Sequence, residues 1–429
     1  MRFYRVVTVF TALLMSLSAR THGQDLTAVA KNYEPKLQTN LLNNIVAFWY
    51  PDTLDRKNGG YILHHNMEGR LKPGPPTKMI VTQARMVWLY SRLVLAGHGR
   101  GKYLEAAAVG YRFLRDKMWD QTNGGFYWEV DVTGNKVLQP MKHLYGQSFG
   151  LFALSEYYLA SRDKKALNLA THLFDLLEAK AHDNLHGGYH EWFNADWTPG
   201  PDEITYMGDP PYKLMNTHLH LLEAMTAFYR ASKLPLARKR LLELIRIESS
   251  AVVRKSLGGC TDKYKADWTP VLTGNYARVS YGHDLENIWL LIDACKTAGI
   301  STYPFLDLYR SQFDYALKYG YDKKQGGFFY YGPFNQPAEN HEKSWWVQAE
   351  ALVSSLYMYR LIGDEKYLDV FEKTYDWVDQ HQVDWKHGEW FDTIMPDGTP
   401  RGDKAQIWKA GYHNGRSMLQ CLAILKAQE

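Results

Sequence analysis

The chain has 429 residues, of which 45% are hydrophobic, 22% are charged and 14% are aromatic. This composition is typical of a globular protein with a large core and excludes an intrinsically disordered chain. The formal net charge of +4 falls to +1 without the three arginines of the first 23 residues. The sequence also has no basic tract that would indicate nucleic-acid binding.

The first residues, MRFYRVVTVFTALLMSLSARTHG, are typical of a secretory signal peptide. Arg2 and Arg5 precede an apolar run, and small residues follow it. The run is shorter than the roughly 20 residues that a membrane span needs. We therefore expect a signal peptide over residues 1–23, and a periplasmic or secreted protein that is not held in a membrane after the signal is removed.

A glycine-aromatic segment recurs along the chain at intervals of 62 to 71 residues. Its copies read NGGYILHH, NGGFYWEV, HGGYHEWF, LGGCTDKY, QGGFFYYG and, more weakly, HGEWFDTI. Six copies of one unit at a nearly constant spacing predict a repeat architecture. The first glycines of the copies are Gly59, Gly124, Gly187, Gly258, Gly326 and Gly388.

The same pair of helical patterns returns between these segments. In the clearest interval, HLYGQSFGLFALSEYYLA and ALNLATHLFDLLEAKAHD place apolar residues three and four apart and are separated by SRDKK, which predicts two helices joined by a turn. The first helix of each pair is apolar almost throughout and the second carries a charged stripe, as in an inner and an outer layer. An unpaired outer-type helix near the start and an unpaired inner-type helix at the end would close a ring.

These patterns predict an all-α fold, an (α/α)6 barrel of twelve helices, as a single catalytic domain over residues 24–429. Each glycine-aromatic segment follows an outer helix and leads to an inner one, so all six lie on one rim. Glycine is expected at the end of the outer helix, where a positive φ is favourable. The alternating residues after it, as in FYWEVD with TGN, predict short β-hairpin loops on this active-site rim.

The residues that open the inner helices should converge on one cavity at this rim. A lone helical histidine is usually a hydrogen-bonded core residue, and we interpret His218 in this way. For His220, His283 and His413, the matching positions in separate repeats favour a functional role. The openings also contain Arg85, Tyr145, Gln147, Asn216, Glu286, Trp345, Trp346, Gln348, Glu350, Trp408 and Arg416.

Several of these residues have a structural alternative. Glu286 lies one helical turn from His283 and could orient the imidazole, or it could pair with an arginine such as Arg85. Trp345 and Trp346 are adjacent, so we expect one of them to face the cavity and the other to lie in the core.

The sequence has no motif typical of a metal site. His218 and His220 point to different sides of one helix and no HExxH motif is present, so we predict no catalytic metal. The cysteines, Cys260, Cys295 and Cys421, are odd in number and widely spaced. We expect them to be buried free thiols.

Histidines at an aromatic-lined cavity are suited to proton transfer, because a reference pKa of about 6.5 lets both protonation states be populated at neutral pH. A sugar aldehyde offers an acidified C2–H. One histidine could remove this proton to give an enediol, and another could return a proton on the opposite face, while Arg85 and Asn216 stabilise the oxygen charge. The product would be a 2-epimer, whereas proton return to C1 would give a ketose.

Four motifs, MNTHLHLLEA, SYGHDLENIWLL, WWVQAEAL and KAGYHNGR, resemble in order and spacing those of the N-acylglucosamine 2-epimerase superfamily, and most of all its cellobiose and mannobiose 2-epimerase branch. The resemblance spans about residues 25–427. It implies an (α/α)6 barrel, chemistry without a cofactor, and a small sugar or disaccharide as substrate. It also implies that His283 and His413 are the general acid/base pair and that His220 assists ring opening and proton handling.

The resemblance further implies a reaction at the reducing-end glucose or mannose of cellobiose or mannobiose. Familiar members of the family act in the cytoplasm, so the export signal is a departure, and an exported enzyme would meet β-mannan or cellulose oligosaccharides before uptake. We expect a monomer or homodimer with no nucleic-acid partner. The substrate-binding residues implied by the resemblance are Arg85, Tyr145, Asn216, Glu286, Trp346 and Trp408.

Other functions remain open on the sequence. An aldose–ketose isomerase of the mannose isomerase type, or an N-acylglucosamine 2-epimerase, would use nearly the same residues. A glycoside hydrolase needs two carboxylates about 5 to 10 Å apart, and the inner openings offer only Glu286 and Glu350. An exported glycan-binding protein would explain the aromatic loops but would give no reason for His283 and His413.

Overall fold

Helices arranged in two concentric layers make up most of the structure, a computed structural model that describes residues 26–200 and 212–427. π-Helical turns extend three of the outer helices, as far as Met118, Ala251 and Gln382. The signal peptide predicted for residues 1–23 lies outside the described residues. In chain order, the twelve helices of the described part are α1 (26–49), α2 (Ile80–Leu95), α3 (Arg100–Phe113), α4 (Leu144–Ser161), α5 (Lys164–Lys180), α6 (Met215–Ser232), α7 (Pro235–Arg246), α8 (Tyr281–Ala298), α9 (Leu306–Tyr319), α10 (Trp345–Ile362), α11 (Lys366–Trp377) and α12 (His413–Lys426).

The even-numbered helices form the inner layer. Each contacts the next even-numbered helix, and α12 contacts both α2 and α1, so the layer closes into a ring. Nearly all of α4 is buried, whereas α5 buries one stripe. The three- and four-residue spacing of that stripe places it on one face of the helix. The predicted (α/α)6 barrel of twelve helices is confirmed. The buried stripe consists of Ala166, Ala170, Leu173, Phe174 and Leu177.

The glycine-aromatic segments occupy the rim at which the inner helices begin. The first glycine of every copy has a φ between 71° and 86°, a region that residues with a Cβ rarely adopt. The hairpin predicted for FYWEVD with TGN is present as β2 (Glu129–Asp131) and β3 (Val137–Gln139). Other short rim hairpins pair β7 (Val253–Arg254) with β8 (Gly259–Cys260), and β13 (Thr393–Ile394) with β14 (Pro400–Arg401).

A second kind of strand pairing on the rim is not predicted from the sequence. The strand that enters an inner helix pairs antiparallel with the segment that follows the next outer helix, as β1 (Thr77–Met79) does with β2. These pairs therefore close the open end of each helical hairpin. The others are β4 (Lys142–His143) with β5 (Trp192–Phe193), β6 (Lys213–Leu214) with β9 (Lys263–Tyr264), β10 (Arg278–Ser280) with β11 (Tyr331–Pro333), and β12 (Lys343–Ser344) with β13.

Buried lysine–aspartate ion pairs fasten rim segments to the strands beside them. Lys142 stands two residues before α4, and Asp120 stands four residues before Gly124. The Lys142 Nζ lies 2.9 Å from the Asp120 carboxylate, and both side chains are at most 2% exposed. This pairing is not predicted from the sequence, although the spacing of both residues recurs. The same arrangement joins Lys78 to Asp55, Lys213 to Asp183 and Lys343 to Asp322.

In three of the repeats, a second contact fixes the aromatic residue that follows the glycine pair. Gln147, the fourth residue of α4, accepts the Phe126 N–H and donates to the Phe126 carbonyl, over 2.8 Å in both cases. A Cβ at Gly125 would lie 3.1 Å from the Gln147 oxygen and 2.5 Å from the Trp197 ring, so the close approach needs glycine. The same two hydrogen bonds join Gln83 to Tyr61 and Gln348 to Phe328.

The buried apolar side chains form one continuous cluster between the two layers. Cys260, Cys295 and Cys421 are buried and free, as predicted. Within residues 26–200 and 212–427, no helix has the length and apolar character needed to cross a membrane.

We expect Lys142→Met to lower the free energy of unfolding by about 3 to 5 kcal/mol, because it leaves the Asp120 carboxylate buried without its cation. Lys136→Met, on an exposed residue of the same rim segment, should change it by less than about 0.5 kcal/mol. Urea unfolding of both variants at pH 7 measures the difference. Equal losses in the two variants would contradict a stabilising ion pair.

The same ion pair should make stability depend on pH. Burial opposes the ionisation of Asp120, but hydrogen bonds from Lys142, Asn123 and Thr122 outweigh it and lower its pKa to about 2. The unfolded value is about 4, so this contribution is complete above pH 4 and is lost as the pH falls toward 2. Urea unfolding between pH 5 and pH 2.5 should therefore show a smaller pH slope for Lys142→Met than for the wild type.

Candidate active site

A cavity of about 550 Å³ lies at the rim, where the inner helices begin. Its walls come from α2, α4, α6, α8 and α10 and from the segment that leads into α12. Closure of the inner ring therefore brings together residues from all six repeats. The lining includes all nine residues that the sequence analysis names as catalytic or substrate-binding: Arg85, Tyr145, Asn216, His220, His283, Glu286, Trp346, Trp408 and His413.

Arg416 lies at the centre of the barrel and binds glutamates from three other inner helices. Its guanidinium donates to Glu223 on α6, to Glu286 on α8 and, over 2.8 Å, to Glu350 on α10. All four side chains are at most 6% exposed. A planar guanidinium suits this position because its five N–H groups can reach several acceptors. Glu223 is not identified from the sequence, where it reads as one polar residue of an otherwise buried helix.

This charged layer separates the rim cavity from a second space. A cavity of about 780 Å³ occupies the opposite end of the barrel, where the inner helices end. Arg416 and Glu223 line that cavity, whereas Glu286 and His413 line the rim cavity. Basic residues such as Arg360 also line the lower cavity, where they offset the partial negative charge of the helix C-termini.

Two of the glutamates that bind Arg416, Glu223 and Glu286, differ in the pKa of their carboxyl groups. Burial opposes the ionisation of Glu223, but Arg416 and a hydrogen bond from His220 outweigh it and lower the pKa of Glu223 to about 2. Burial and the neighbouring Glu350 raise the pKa of Glu286 to about 7. Glu286 can therefore carry a proton near neutral pH. Its Oε2 atom has no hydrogen-bond partner among the described residues.

Glu350 holds the imidazole of His413. The Nδ1 atom of His413 lies 2.7 Å from Glu350 Oε1, and Trp289 and Arg416 also donate to this carboxylate, each over 2.8 Å. Nδ1 therefore carries the hydrogen, and Nε2 keeps its lone pair. Burial and the positive charges of Arg85 and Arg416 hold the pKa of His413 well below its usual range, so the ring is neutral at pH 7.

His283 and His413 pack against the same indole ring. The ring centroid of Trp346 is 4.9 Å from that of His283 and 5.7 Å from that of His413. Burial and the positive charge of Arg278 lower the pKa of His283 to about 4. In the part of the chain that the structure describes, His283 has no hydrogen-bond partner, so both of its ring nitrogens are available to a ligand.

His220 is connected to the central arginine. Its Nδ1 atom lies 3.3 Å from Glu223 Oε2, which also accepts a hydrogen bond from the Tyr412 hydroxyl. Its ring centroid is 6.5 Å from that of His413. Burial lowers the pKa of His220. The three histidines singled out in the sequence therefore lie in one cavity, and each is neutral at pH 7.

Arg85 joins two walls of the cavity. Its guanidinium donates to the Tyr145 hydroxyl over 3.2 Å and to the Trp408 carbonyl, and it lies 4.5 Å above the ring of Phe149. Arg85 does not neutralise Glu286, which was one alternative for it. Its Nε atom is buried and has no partner within the described residues.

Two expectations about this site are wrong. Glu286 does not orient His283, because its carboxyl group points to the barrel axis and accepts from Arg416 instead. Trp345 and Trp346 both line the cavity. They are the first two residues of α10, and at this end of the helix the side chains of both residues reach the cavity. The expectation that only one of the two tryptophans faces the cavity is therefore wrong.

His218 is a core residue, as the sequence predicts. Its Nε2 atom accepts the Tyr189 N–H over 3.0 Å, and its Nδ1 atom donates to the Leu214 carbonyl over 2.8 Å. Burial lowers its pKa to about 3, so the ring stays neutral. In the third repeat, His218 takes the place that Gln147 has in the second.

The rim supplies carboxyl groups that the sequence analysis does not identify. Asp262, Glu342 and Asp392 line the cavity. Burial raises the pKa of both Asp262 and Asp392. The expectation that Glu286 and Glu350 are the only carboxyl groups available for hydrolysis is therefore wrong. Helical periodicity identifies residues that lie on helices, whereas Asp262, Glu342 and Asp392 stand in rim segments without helical periodicity.

Glu286, Glu350 and His413 place their ligand atoms within 4.8 Å of one another, which is close enough for a metal ion. The guanidinium of Arg416 already binds an oxygen of Glu286 and an oxygen of Glu350. The same Glu350 oxygen accepts from His413 Nδ1. A metal ion would have to displace these donors, so the side chains present fit the guanidinium better than an ion.

Known proteins resemble this chain over most of its length. The sequence profile of the N-acylglucosamine 2-epimerase (GlcNAc 2-epimerase) family matches residues 60–415. Cellobiose 2-epimerase of Bacteroides fragilis is 31% identical over 394 residues, which are 90% of this chain and 98% of that protein. D-mannose isomerase of Marinomonas mediterranea is 26% identical over 90% of this chain and 95% of that protein. The solved structure of cellobiose 2-epimerase from Spirochaeta thermophila superposes with a TM-score of 0.83 at 32% identity, over 93% of this chain and 98% of that one.

We expect the imidazoles of His283 and His413 to remain neutral from pH 8 down to about pH 5, because burial and nearby cations lower both pKa values. Nitrogen–proton correlation spectra of histidine-labelled protein should show the Nδ1–H tautomer for His413. A histidine peptide, which titrates near pH 6.5, is the reference.

The lowered pKa values of His283 and His413 also make the free energy of unfolding depend on pH. Below pH 6.5 the unfolded chain binds protons that the imidazoles of His283 and His413 do not bind in the folded protein, so the free energy of unfolding should fall as the pH drops from 6.5 to 5. Protonation of either ring above pH 6 would contradict the burial-lowered pKa values.

Proposed function

The chain belongs to the N-acylglucosamine 2-epimerase family, and we propose that it interconverts the C2 configuration of the reducing-end sugar of cellobiose or mannobiose. It is an isomerase that acts on carbohydrates, as its curated relatives are. The observation that carries the proposal is the placement of His283 and His413 in one cavity, on one tryptophan ring, with ring nitrogens left for a ligand.

The proposed reaction acts on the open-chain aldehyde. A neutral imidazole takes the C2 proton, the C–H electron pair forms the C1=C2 double bond, and O1 takes a proton from solvent to give the enediol. A proton from solvent then reaches C2 from the opposite face through the second imidazole, O1 returns its proton to solvent as the carbonyl re-forms, and the first imidazole releases the proton that it took. The rings of His283 and His413 are both neutral, so either can act as the base, and the direction of the reaction decides which one does.

The group that returns the proton must carry one. Glu286 and His413 have ligand atoms within 4.8 Å of each other, and burial with the neighbouring Glu350 raises the pKa of Glu286 to about 7. Glu286 can therefore hold a proton close to the imidazoles near neutral pH. His220, held by Glu223, is the third imidazole in the cavity and assists ring opening.

Charge and shape complete the proposed site. Negative charge develops on O1 as the C2 proton leaves, and the guanidinium of Arg85 and the amide of Asn216, which both line the cavity, can stabilise it. Trp346 and Trp408 offer flat apolar rings to the C–H faces of the sugar, and Tyr145 lines the same wall. The cavity of about 550 Å³ falls within the range of about 300 to 1,000 Å³ typical of small-ligand pockets.

Aldose–ketose isomerisation is the second candidate, because the chain is also similar to D-mannose isomerase. It would use the same base and the same enediol and would differ only in returning the proton to C1. Which carbon the second imidazole faces decides between the two outcomes. N-acylglucosamine is a further candidate substrate of the epimerase reaction.

We further propose that the enzyme acts on oligosaccharides in the periplasm or outside the cell. The motive is the signal-type sequence of residues 1–23. There the enzyme would meet β-mannan or cellulose fragments before uptake. Detection of the protein only in the cytosolic fraction would remove this motive.

Incubation with cellobiose, mannobiose and mannose in D2O, followed by NMR, tests the proposal. We expect deuterium at C2 of the reducing-end sugar together with the anomeric signals of the 2-epimer. Conversion of mannose to fructose without disaccharide epimers would favour the second candidate, and release of monosaccharide from cellobiose would favour a hydrolase. Absence of exchange at C2 of every sugar would contradict both isomerase candidates.

Substitution of the two imidazoles tests their roles. We expect His283→Ala and His413→Ala each to lower kcat by about 10² to 10⁴-fold, because each removes a general acid or base. His186→Ala alters a rim histidine that is 36% exposed and does not line the cavity, and it should leave kcat within twofold. Wild-type kcat in a double His283→Ala, His413→Ala variant would contradict this chemistry.

A further inference from the structure

The sixth rim segment lacks the second glycine that the other five have. It reads His387-Gly388-Glu389, and Glu389 adopts a φ of 64°, close to the values of 70° to 78° at four of the corresponding glycines. A side chain with a Cβ is unfavourable in this left-handed region. Glu389 is nevertheless fully buried. The corresponding glycines are Gly60, Gly125, Gly188 and Gly327.

The carboxylate of Glu389 has three buried partners. Lys409 Nζ and Asn414 Nδ2 donate to Oε1 over 2.8 Å and 2.6 Å, and Trp49 Nε1 donates to Oε2 over 2.6 Å. None of these side chains is more than marginally exposed. Charge-assisted hydrogen bonds without competing water offset the unfavourable backbone conformation.

Asn414 explains why a glutamate fits at this position. In the fifth repeat, a Cβ at Gly327 would lie 2.8 Å from the Gln348 oxygen that holds the next residue. Asn414 stands five residues after Lys409, as Gln348 stands five residues after Lys343, and it is one methylene shorter. It binds the side chain of Glu389 instead of the backbone that follows.

The sixth repeat also has two rim lysines, whereas each of the other repeats with a buried lysine–aspartate ion pair has one. Lys404 takes the usual role, because it lies 2.7 Å from Asp384 and donates to the Gly388 carbonyl. Lys409 is the second, and it pairs with Glu389. The segment 404–409 is therefore fastened at both ends.

This segment carries two residues of the cavity wall. Gln406 and Trp408 both line the cavity, and the Trp408 N–H donates to the Gln406 side chain over 2.7 Å. The Trp408 carbonyl accepts from Arg85, and His413 begins α12 four residues after Lys409. A shift of the segment would therefore move an indole, release a guanidinium and disturb the start of α12 together.

We infer that Glu389 is a positioning residue, which anchors segment 404–409 through Lys409 and Asn414 and so keeps Trp408 and His413 in place over the cavity. It touches neither the cavity nor a ligand and acts through the segment. The role of Trp408 and His413 in the reaction rests on the proposed function, whereas the anchoring rests on the contacts alone.

Glu389→Gln tests the anchor with little change in shape. It keeps the length of the side chain and loses the charge that holds Lys409. Asp55→Asn is the matched control, because it weakens the same kind of buried ion pair, 2.7 Å long, with Lys78 in a rim segment that does not line the cavity. A double variant, Glu389→Gly with Lys409→Met, restores the glycine of the other repeats and removes the unpaired lysine, in case the single variant folds poorly.

Hydrogen–deuterium exchange needs no substrate and measures the anchoring directly. We expect peptides covering residues 404–411 to exchange at least tenfold faster in Glu389→Gln and in the double variant than in the wild type. In Asp55→Asn they should exchange at the wild-type rate. Unchanged exchange of this segment in both Glu389 variants would overturn the inference.

Kinetics with the turned-over disaccharide give the second readout. We expect kcat/KM, corrected for the folded fraction, to fall at least tenfold in Glu389→Gln, mainly through a higher KM because Trp408 is displaced. Asp55→Asn should stay within twofold of the wild type. Equal kcat/KM losses in the two variants would overturn the inference. A wild-type protein that turns over no sugar would contradict the proposed function instead, and the exchange measurement would still decide the anchoring.

Discussion

The guanidinium of Arg416 is the interaction on which the site depends, because it binds one glutamate from each of three other inner helices at the barrel axis. A buried cation and its carboxylates are stable only while they remain paired, so these helices cannot shift independently without leaving a charge unpaired. Glu223 and Glu350 in turn hold His220 and His413. The same buried charges therefore fix both the packing of the inner helices and the positions of the imidazoles of His220 and His413.

The repeats fasten their rim segments in similar but not identical ways. A lysine–aspartate pair and a glutamine contact fasten the rim in the second repeat, through Lys142 and Gln147. The fourth repeat has Arg254 where the aspartate would stand. The sixth has a second lysine and Glu389, and its longer segment brings Trp408 to the cavity. In the sixth repeat, the departure from the repeat therefore accompanies a residue that lines the site.

Periodicity carries enough information to predict the architecture and to place His283 and His413 in one cavity, because a closed ring of equivalent units maps matching positions onto one rim. Side-chain partners are less predictable. Glu286 lies three residues from His283, which favours a local pair, but its carboxyl group meets Arg416, 130 residues away in sequence. Glu223 gives no signal at all, because its importance depends on which way it points across the barrel. Such pairings need three-dimensional coordinates.

Two imidazoles acting on opposite faces of one sugar carbon are tested most directly by a crystal structure of the protein with a reduced, open-chain disaccharide bound. We expect C2 of the ligand to lie between His283 and His413, with one ring nitrogen of each within about 3.5 Å of it and on opposite faces. Both rings on the same face of C2, or a ligand whose C2 lies among the rim carboxyl groups and away from both histidines, would contradict this geometry.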